Sequence, residues 1–535
     1  MTLPLVRVAG KSAQSSTALH PLINNLRNRS FIFALLSACA LSACNDSGEN
    51  GDGVALEEGG GITIGGVISG LSGNGLILQD NGADSLSLGD DGTFTFATPV
   101  ATGNAYAVTV ATQPGNPAQS CFVSHASGTA GTTNVTTVSV ICRTIGQLAY
   151  TANNGSGNVS GFTINSSSGV LTPIPGNPVA TGPSPAQVTI TPSGKFAYVA
   201  TTSGTRIVGF SINPTSGALT PVAGSPFATS FVQGQPGAPT AVEPQGRFLY
   251  IASLNDGQIA GFAIDAGSGV LTPIPGSPFA AGAAASGFPT FSPGGYFVYV
   301  THQTTAGSVT GFHIDQTTGA LSPIPGSPFA AGNTPTRISI TPNARCAYVS
   351  NTGSNSISAY TVNTETGALT PVTGSPYTEG AQHPIDLTVD PAGTHLYVPN
   401  QGSSNISVYS INPNNGALSS VTGSPFAAGA GPNLVSIEPT GRFAYVSSGA
   451  GNDVHGYSID PSSGALTPLA GSPYAAGAGP LFVSVDPGGK YAYTANAQSA
   501  DISAFAIDAT TGVLTPVAGS PFTAGIDPIV VSIAQ

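Results

Sequence analysis

Residues 443–477 read FAYVSSGAGNDVHGYSIDPSSGALTPLAGSPYAAG, and residues 395–429 read HLYVPNQGSSNISVYSINPNNGALSSVTGSPFAAG. The two stretches are one pattern written twice. A short strand carries Tyr at its third place, and a polar turn leads to a second strand of alternating character. A Gly-Ala-Leu strand follows, then Gly-Ser-Pro-aromatic, and a Pro-led strand such as PTRISITP (residues 335–342) completes the unit. Alternation with period two marks half-buried strands.

Working outward, the tyrosines of these two copies belong to a column of eight: Tyr150, Tyr198, Tyr250, Tyr299, Tyr348, Tyr397, Tyr445 and Tyr493. Their spacings are 48, 52, 49, 49, 49, 48 and 48 residues. Four short strands in a unit of this length are the mark of a propeller blade. One such sheet buries too little alone, but blades stacked around an axis cover each other's faces. The innermost strand must fit the narrow end of the wedge. Its middle column is accordingly small: Thr189, Ala241, Thr290, Ser339, Thr388, Ser436, Ser484 and Ser532. The chain ends in a lone inner strand, IVVSIAQ, which can complete the first blade and shut the ring. The expected fold is therefore all-β, an eight-bladed propeller over residues 146–535.

Composition agrees. Of 535 residues only 7% are charged, while 71 are Gly and 44 Pro, which disfavours helix-rich folds. No third-position Gly repeat is present, so collagen is excluded. A 40% hydrophobic content recurring at regular intervals excludes a disordered chain.

Phe31 to Ala43, FIFALLSACALSA, is an apolar run preceded by Arg27 and Arg29, too short to span a bilayer. It fits a signal-peptide core. Its end, Leu41-Ser42-Ala43-Cys44, resembles the lipobox of bacterial lipoproteins, which implies cleavage at 43 and a lipid anchor on Cys44. Leu36-Ser37-Ala38-Cys39 also fits, but Cys44 leaves the longer apolar run and opens onto a polar tether. Asn45, in place of the Asp that the resemblance links to inner-membrane retention, favours an outer-membrane location in the cell envelope.

Residues 44–60 read as an acidic, Gly-rich flexible tether. Residues 61–144 hold short alternating runs such as GLILQ, TFTFAT and YAVTVAT, the pattern of a small β-sandwich. Cys121 and Cys142 lie within it, in a compartment that permits disulfides, and are expected to pair. Cys346 replaces an aromatic in a propeller column and reads as a small buried hydrophobe.

Four cations precede residue 44 with no acid; beyond it eight cations face 24 acids, a net charge of −16. Phosphate-backbone binding needs clustered Lys and Arg, so nucleic acid is excluded as a partner. Membrane association is expected through the lipid anchor only. The remaining partner classes are an envelope protein, a glycan or a small molecule. No cofactor motif and no metal-spaced ligand set is present.

Subtracting the repeating columns locates a site. Lys195, Arg247, Arg345, Arg442 and Lys490 share one turn column, and Glu243, Asp390, Glu438 and Asp486 share another. One column varies where its neighbours repeat: Gln187, Pro239, Phe288, Arg337, Asp386, Leu434, Phe482 and Val530. It lies at the entrance of the innermost strand and should ring the mouth of the central channel, a natural concave site. Arg337 and Asp386 come from adjacent blades. The preceding loops carry Glu379, His383 and Asp527, and His302 ends a first strand on the same side. A catalytic reading uses His383 as general base for water, Arg337 to stabilise an oxyanion and Asp386 to orient one of them. Gln187, His302, Glu379 and Asp527 are candidate ligand contacts. The structural alternative is an Arg337–Asp386 ion pair pinning two blades, with His383 a plain loop residue.

The repeats resemble the lactonase-type β-propeller family, including 6-phosphogluconolactonase-like proteins, and the Tyr-Val-x-Asn repeat propellers of microbial surfaces. The resemblance covers residues 146–535. The family fold has seven blades, which stands as the alternative to eight. Two functions follow: a binding or structural propeller of the envelope, and, as the resemblance implies, a hydrolase opening lactone rings. A phosphosugar site would want several clustered cations, and only Arg337 and Arg206 are to hand.

Overall fold

A computed structural model of the chain describes residues 61–534, apart from 72, 116–118, 125, 145–147, 202–204, 232–239, 254–255, 283–286, 379 and 381. The signal segment, the tether with Cys44, and the site candidates Glu379 and Pro239 lie outside the described residues.

Residues 61–144 form two four-stranded sheets. One runs in the order Gly92–Thr95, Ile64–Ser69, Val135–Thr144, Gln119–Ser124, and the other Asp84–Leu88, Leu76–Asp80, Ala105–Thr112, Ser127–Thr129. Ile64, Val138 and Val140 from the first sheet and Leu76, Leu78 and Val108 from the second close on one core. Cys121 and Cys142 sit directly opposite each other on neighbouring antiparallel strands and are joined by a disulfide.

From Leu148 onward the chain forms eight further sheets, each with a path of four strands, giving eight blades. The C-terminal strand Pro528–Ile533 pairs with Leu148–Asn153, so the last inner strand completes the first blade. The outermost strand of a blade is broken into two short pieces around a cis Ser–Pro or Asn–Pro bond, as at Leu466–Pro468 and Tyr474–Ala475. Short, Pro-bearing edges present little unpaired backbone for aggregation.

The Tyr column shows how sequence becomes ring. Each side chain is fully buried between blades. Each hydroxyl donates to a Gly carbonyl in a turn of the next blade, as Tyr198 does to Gly269 at 2.7 Å and Tyr445 to Gly512 at 2.7 Å. That Gly must be Gly on two counts: Gly512 has φ +73°, and a Cβ there would collide with the Phe443 ring. The small inner column stitches the axis in the same direction. Thr388 donates to the Val435 carbonyl at 2.8 Å and Ser436 to that of Val483 at 2.6 Å. Ser532 donates to Val188 at 2.6 Å, across the point where the chain's two ends meet.

Candidate functional site at the channel mouth

The variable column converges. Gln187, Phe288, Arg337, Asp386, Leu434, Phe482 and Val530 line one cavity of about 300 Å³, together with Ala186, Val483, Ser484 and Ile529. This lies at the small end of ligand-pocket sizes. The register of the inner strands explains why four of these positions are free to vary, whereas Arg337 stays paired with Ser350. In Pro480–Val485 pairing jumps from Pro480↔Asn496 to Val483↔Thr494, so Leu481 and Phe482 are bulged out. The same irregularity frees Ala186 and Gln187, Asn433 and Leu434, and Ile529 and Val530. A bulge re-aims side chains away from the ladder, here into the mouth. A second cavity of about 300 Å³ continues along Val188–Pro192, Ser532 and Ile533, and Gln187 borders both.

Arg337 and Asp386 meet across adjacent blades, Nε to Oδ2 at 3.4 Å, with side chains 25% and 15% exposed. The Arg337 guanidinium lies over the Phe288 ring, its Cζ 3.3 Å from the centroid. A cation over an aromatic face is held by the ring quadrupole. The Leu387 amide donates to Asp386 Oδ1 at 2.8 Å. Among the described residues nothing accepts from Nη1 or Nη2 of Arg337, which lines the cavity. Burial pushes the Asp386 carboxyl above its ordinary value, and Arg337 and the Leu387 amide only partly offset this. Burial likewise holds the Arg337 guanidinium below its ordinary value against the pull of Asp386.

The other candidates are placed elsewhere. His383 is exposed and does not line the cavity. It has φ +55°, accepts a backbone bond from Gln401 at 3.1 Å, and its amide donates to Asn355 Oδ1 at 2.7 Å. Asp527 holds the equivalent turn position, with φ +58° and its carbonyl bonded by the Asn154 amide at 2.9 Å. Ser184 and Thr334 occupy the same left-handed place before an inner-strand Pro, so this is a turn column of the scaffold. His302 departs from the expected approach to the mouth: it is wholly buried. The Thr310 hydroxyl donates to the Ala281 carbonyl at 2.8 Å and accepts from His302 Nε2 at 2.7 Å. Asn351 and Asn400 fill that slot in other blades, donating to Ser358 at 3.0 Å and Ser407 at 2.8 Å. The imidazole therefore does the work of a buried amide. Gln187, by contrast, stands on the cavity wall.

One buried pair was not singled out by pattern. His395, where four other blades carry Phe, bonds Asp390 Oδ2 through Nδ1 at 3.1 Å. Burial raises the Asp390 carboxyl, but bonds from His395 and Thr394 outweigh it and leave the group below its ordinary value. Its column is a turn cap: the amides of Thr394 and His395 donate to Asp390, as that of Lys490 does to Asp486.

The model of the family described as "Lactonase, 7-bladed beta-propeller" matches residues 120–232, 146–328, 322–431 and 421–526. No curated protein matches the chain. Among solved structures, a protein from Lactobacillus plantarum is 17% identical with a TM-score of 0.50, over 73% of this chain and 100% of that one. The periplasmic gluconolactonase of Pseudomonas aeruginosa is 17% identical with a TM-score of 0.48, over 72% of this chain and 99% of that one. These likenesses concern fold. The eight blades seen here are one more than the family's description carries.

Proposed function

The chain belongs to the lactonase β-propeller family, and from that premise we propose that it is a small-molecule-binding propeller of the cell envelope, with its site at the channel mouth. One observation carries the reading. The guanidinium of Arg337 is held between the Phe288 ring and Asp386, its terminal N–H groups bonding no described residue, in a cavity built from the column that breaks the repeat. A guanidinium fixed by stacking and an ion pair, and three-quarters covered, carries a desolvation cost that a ligand accepting its hydrogen bonds would offset. A compound library screened by thermal shift against the purified full chain tests this. Compounds that raise the melting temperature of wild type but not of Arg337→Met are expected; compounds that stabilise both alike would contradict it.

A second reading, ring opening of a lactone, is favoured by the adjacency of Asp386 and Arg337. A carboxylate raised by burial is a stronger base for water, and Arg337 is placed to donate to a developing oxyanion. His383 is not needed in this arrangement. Proton release from lactones, lost in both Asp386→Asn and Arg337→Ala, would favour hydrolysis over simple binding.

Export follows from the apolar run and Cys44. The lipid on Cys44 would tether the propeller to the outer membrane. Cys44→Ser is expected to release the protein from membrane fractions; continued attachment would refute the anchor.

A further inference from the structure

The ring around the mouth is two-sided. Leu434, Phe482 and Val530 come from three consecutive blades and form an unbroken apolar arc. Arg337 and Asp386, also neighbours, form the polar arc, and their charges cancel. Among the described residues no second cation lines the cavity. A phosphate or carboxylate would meet Arg337 only beside the Asp386 carboxylate, and like charges at that range disfavour each other. A polyhydroxylated sugar fares little better. Each hydroxyl taken from water needs a partner, and the wall beyond the ion pair offers few side chains able to supply one, chiefly Gln187 and Ser484. Of the two rings on the wall, Phe288 is already covered by the guanidinium, which leaves Phe482 alone for a sugar face to stack on.

What the cavity does offer is a guanidinium whose terminal N–H groups bond no described residue, on a wall otherwise largely apolar. We infer that the site takes an uncharged molecule bearing a carbonyl acceptor on an apolar ring or chain, such as an alkyl-substituted lactone, and not a sugar lactone or a phosphorylated sugar. The carbonyl oxygen accepts from Arg337, and the hydrocarbon lies on Phe482 and Leu434. This inference rests on the channel mouth being a ligand site, and narrows its occupant.

Calorimetric titration of the full chain with δ-decalactone, glucono-δ-lactone and 6-phosphogluconate separates the two levels. The expected result is binding of δ-decalactone alone, weakened about tenfold or more by Arg337→Met and by Phe482→Ser. Phe482→Leu, which keeps the wall apolar, should bind nearly as wild type, and so controls for loss of folding. Binding of either sugar compound that depends on Arg337, without binding of δ-decalactone, would overturn the chemical class while leaving the site standing. Binding of none of the three, or binding indifferent to all these substitutions, would overturn both.

Discussion

The hydroxyl of Tyr493 donates to the carbonyl of Gly169 at 3.0 Å, across 324 residues of chain. It is the same bond that Tyr198 makes to Gly269 and Tyr445 to Gly512, seen at the seam where the last blade meets the first. The seam is therefore built like every other blade boundary, with Ser532 to Val188 as its counterpart at the axis. Tyr493→Phe keeps the buried ring and removes one hydrogen bond, at an expected cost of about 1 kcal/mol in chemical denaturation. Deleting Pro528–Ile533 removes a whole inner strand and should lower the melting temperature far more. Unchanged melting after that deletion would mean that the ring does not depend on its seam.

The position after each column Tyr is Val or Ile in six blades, such as Val199, Ile251 and Val446, but Thr at 151 and 494. Both Thr side chains are wholly buried and their hydroxyls find no partner among the described residues. An unpaired buried hydroxyl is a cost that an isosteric methyl does not carry. Thr494→Val is thus expected to stabilise the protein by about 1 kcal/mol in urea denaturation. Destabilisation would show that the hydroxyl is satisfied in solution.

Stability should respond to pH through Asp386. Its carboxyl is raised in the fold by burial, so the folded state holds the proton more tightly than the unfolded chain. Such a group contributes stability below its ordinary value of 3.8, lost as pH rises through the raised value. Asp390 works in the opposite sense: its net lowering contributes stability that is lost as pH falls. Comparing wild type with Asp386→Asn isolates the first effect. The variant's unfolding free energy should fall less between acid and neutral pH than that of wild type. An equal or steeper fall would show that Asp386 is not raised.

The Cys121–Cys142 bridge closes a separation of 21 residues in the small two-sheet region. Chain-entropy reasoning puts its contribution at about 3 kcal/mol. The double variant Cys121→Ala, Cys142→Ala should lose that much for unfolding of residues 61–144, with the transition of the blades little moved, as read by calorimetry. A single shared transition shifted as a whole would show the two regions to be coupled.

The ring was legible because its columns serve one purpose eight times over. A buried Tyr needs a carbonyl, and a narrow axis needs Ser, Thr or Ala, so both repeat. The mouth was legible by contrast: Gln187 and Phe482 vary because bulges release them from pairing, though the bulges themselves leave no mark in the residues. His302 was misleading for a related reason. His302 breaks a column as Arg337 does, yet it satisfies a buried polar position already required by the blade, beside Thr310, whereas His395 replaces a ring and bonds the turn-capping Asp390. An irregular residue in a repeat signals a changed contact, and only its surroundings tell a packing contact from a site. His383 and Asp527 belong to a turn column defined by backbone angle, which residue type does not reveal.

The most direct test of the account is a crystal structure of the full chain soaked with δ-decalactone. The account expects eight closed blades and ligand density in the mouth, its carbonyl oxygen about 3 Å from a terminal nitrogen of Arg337. Density bound elsewhere on the protein, with Arg337 and Asp386 paired only to each other, would contradict it.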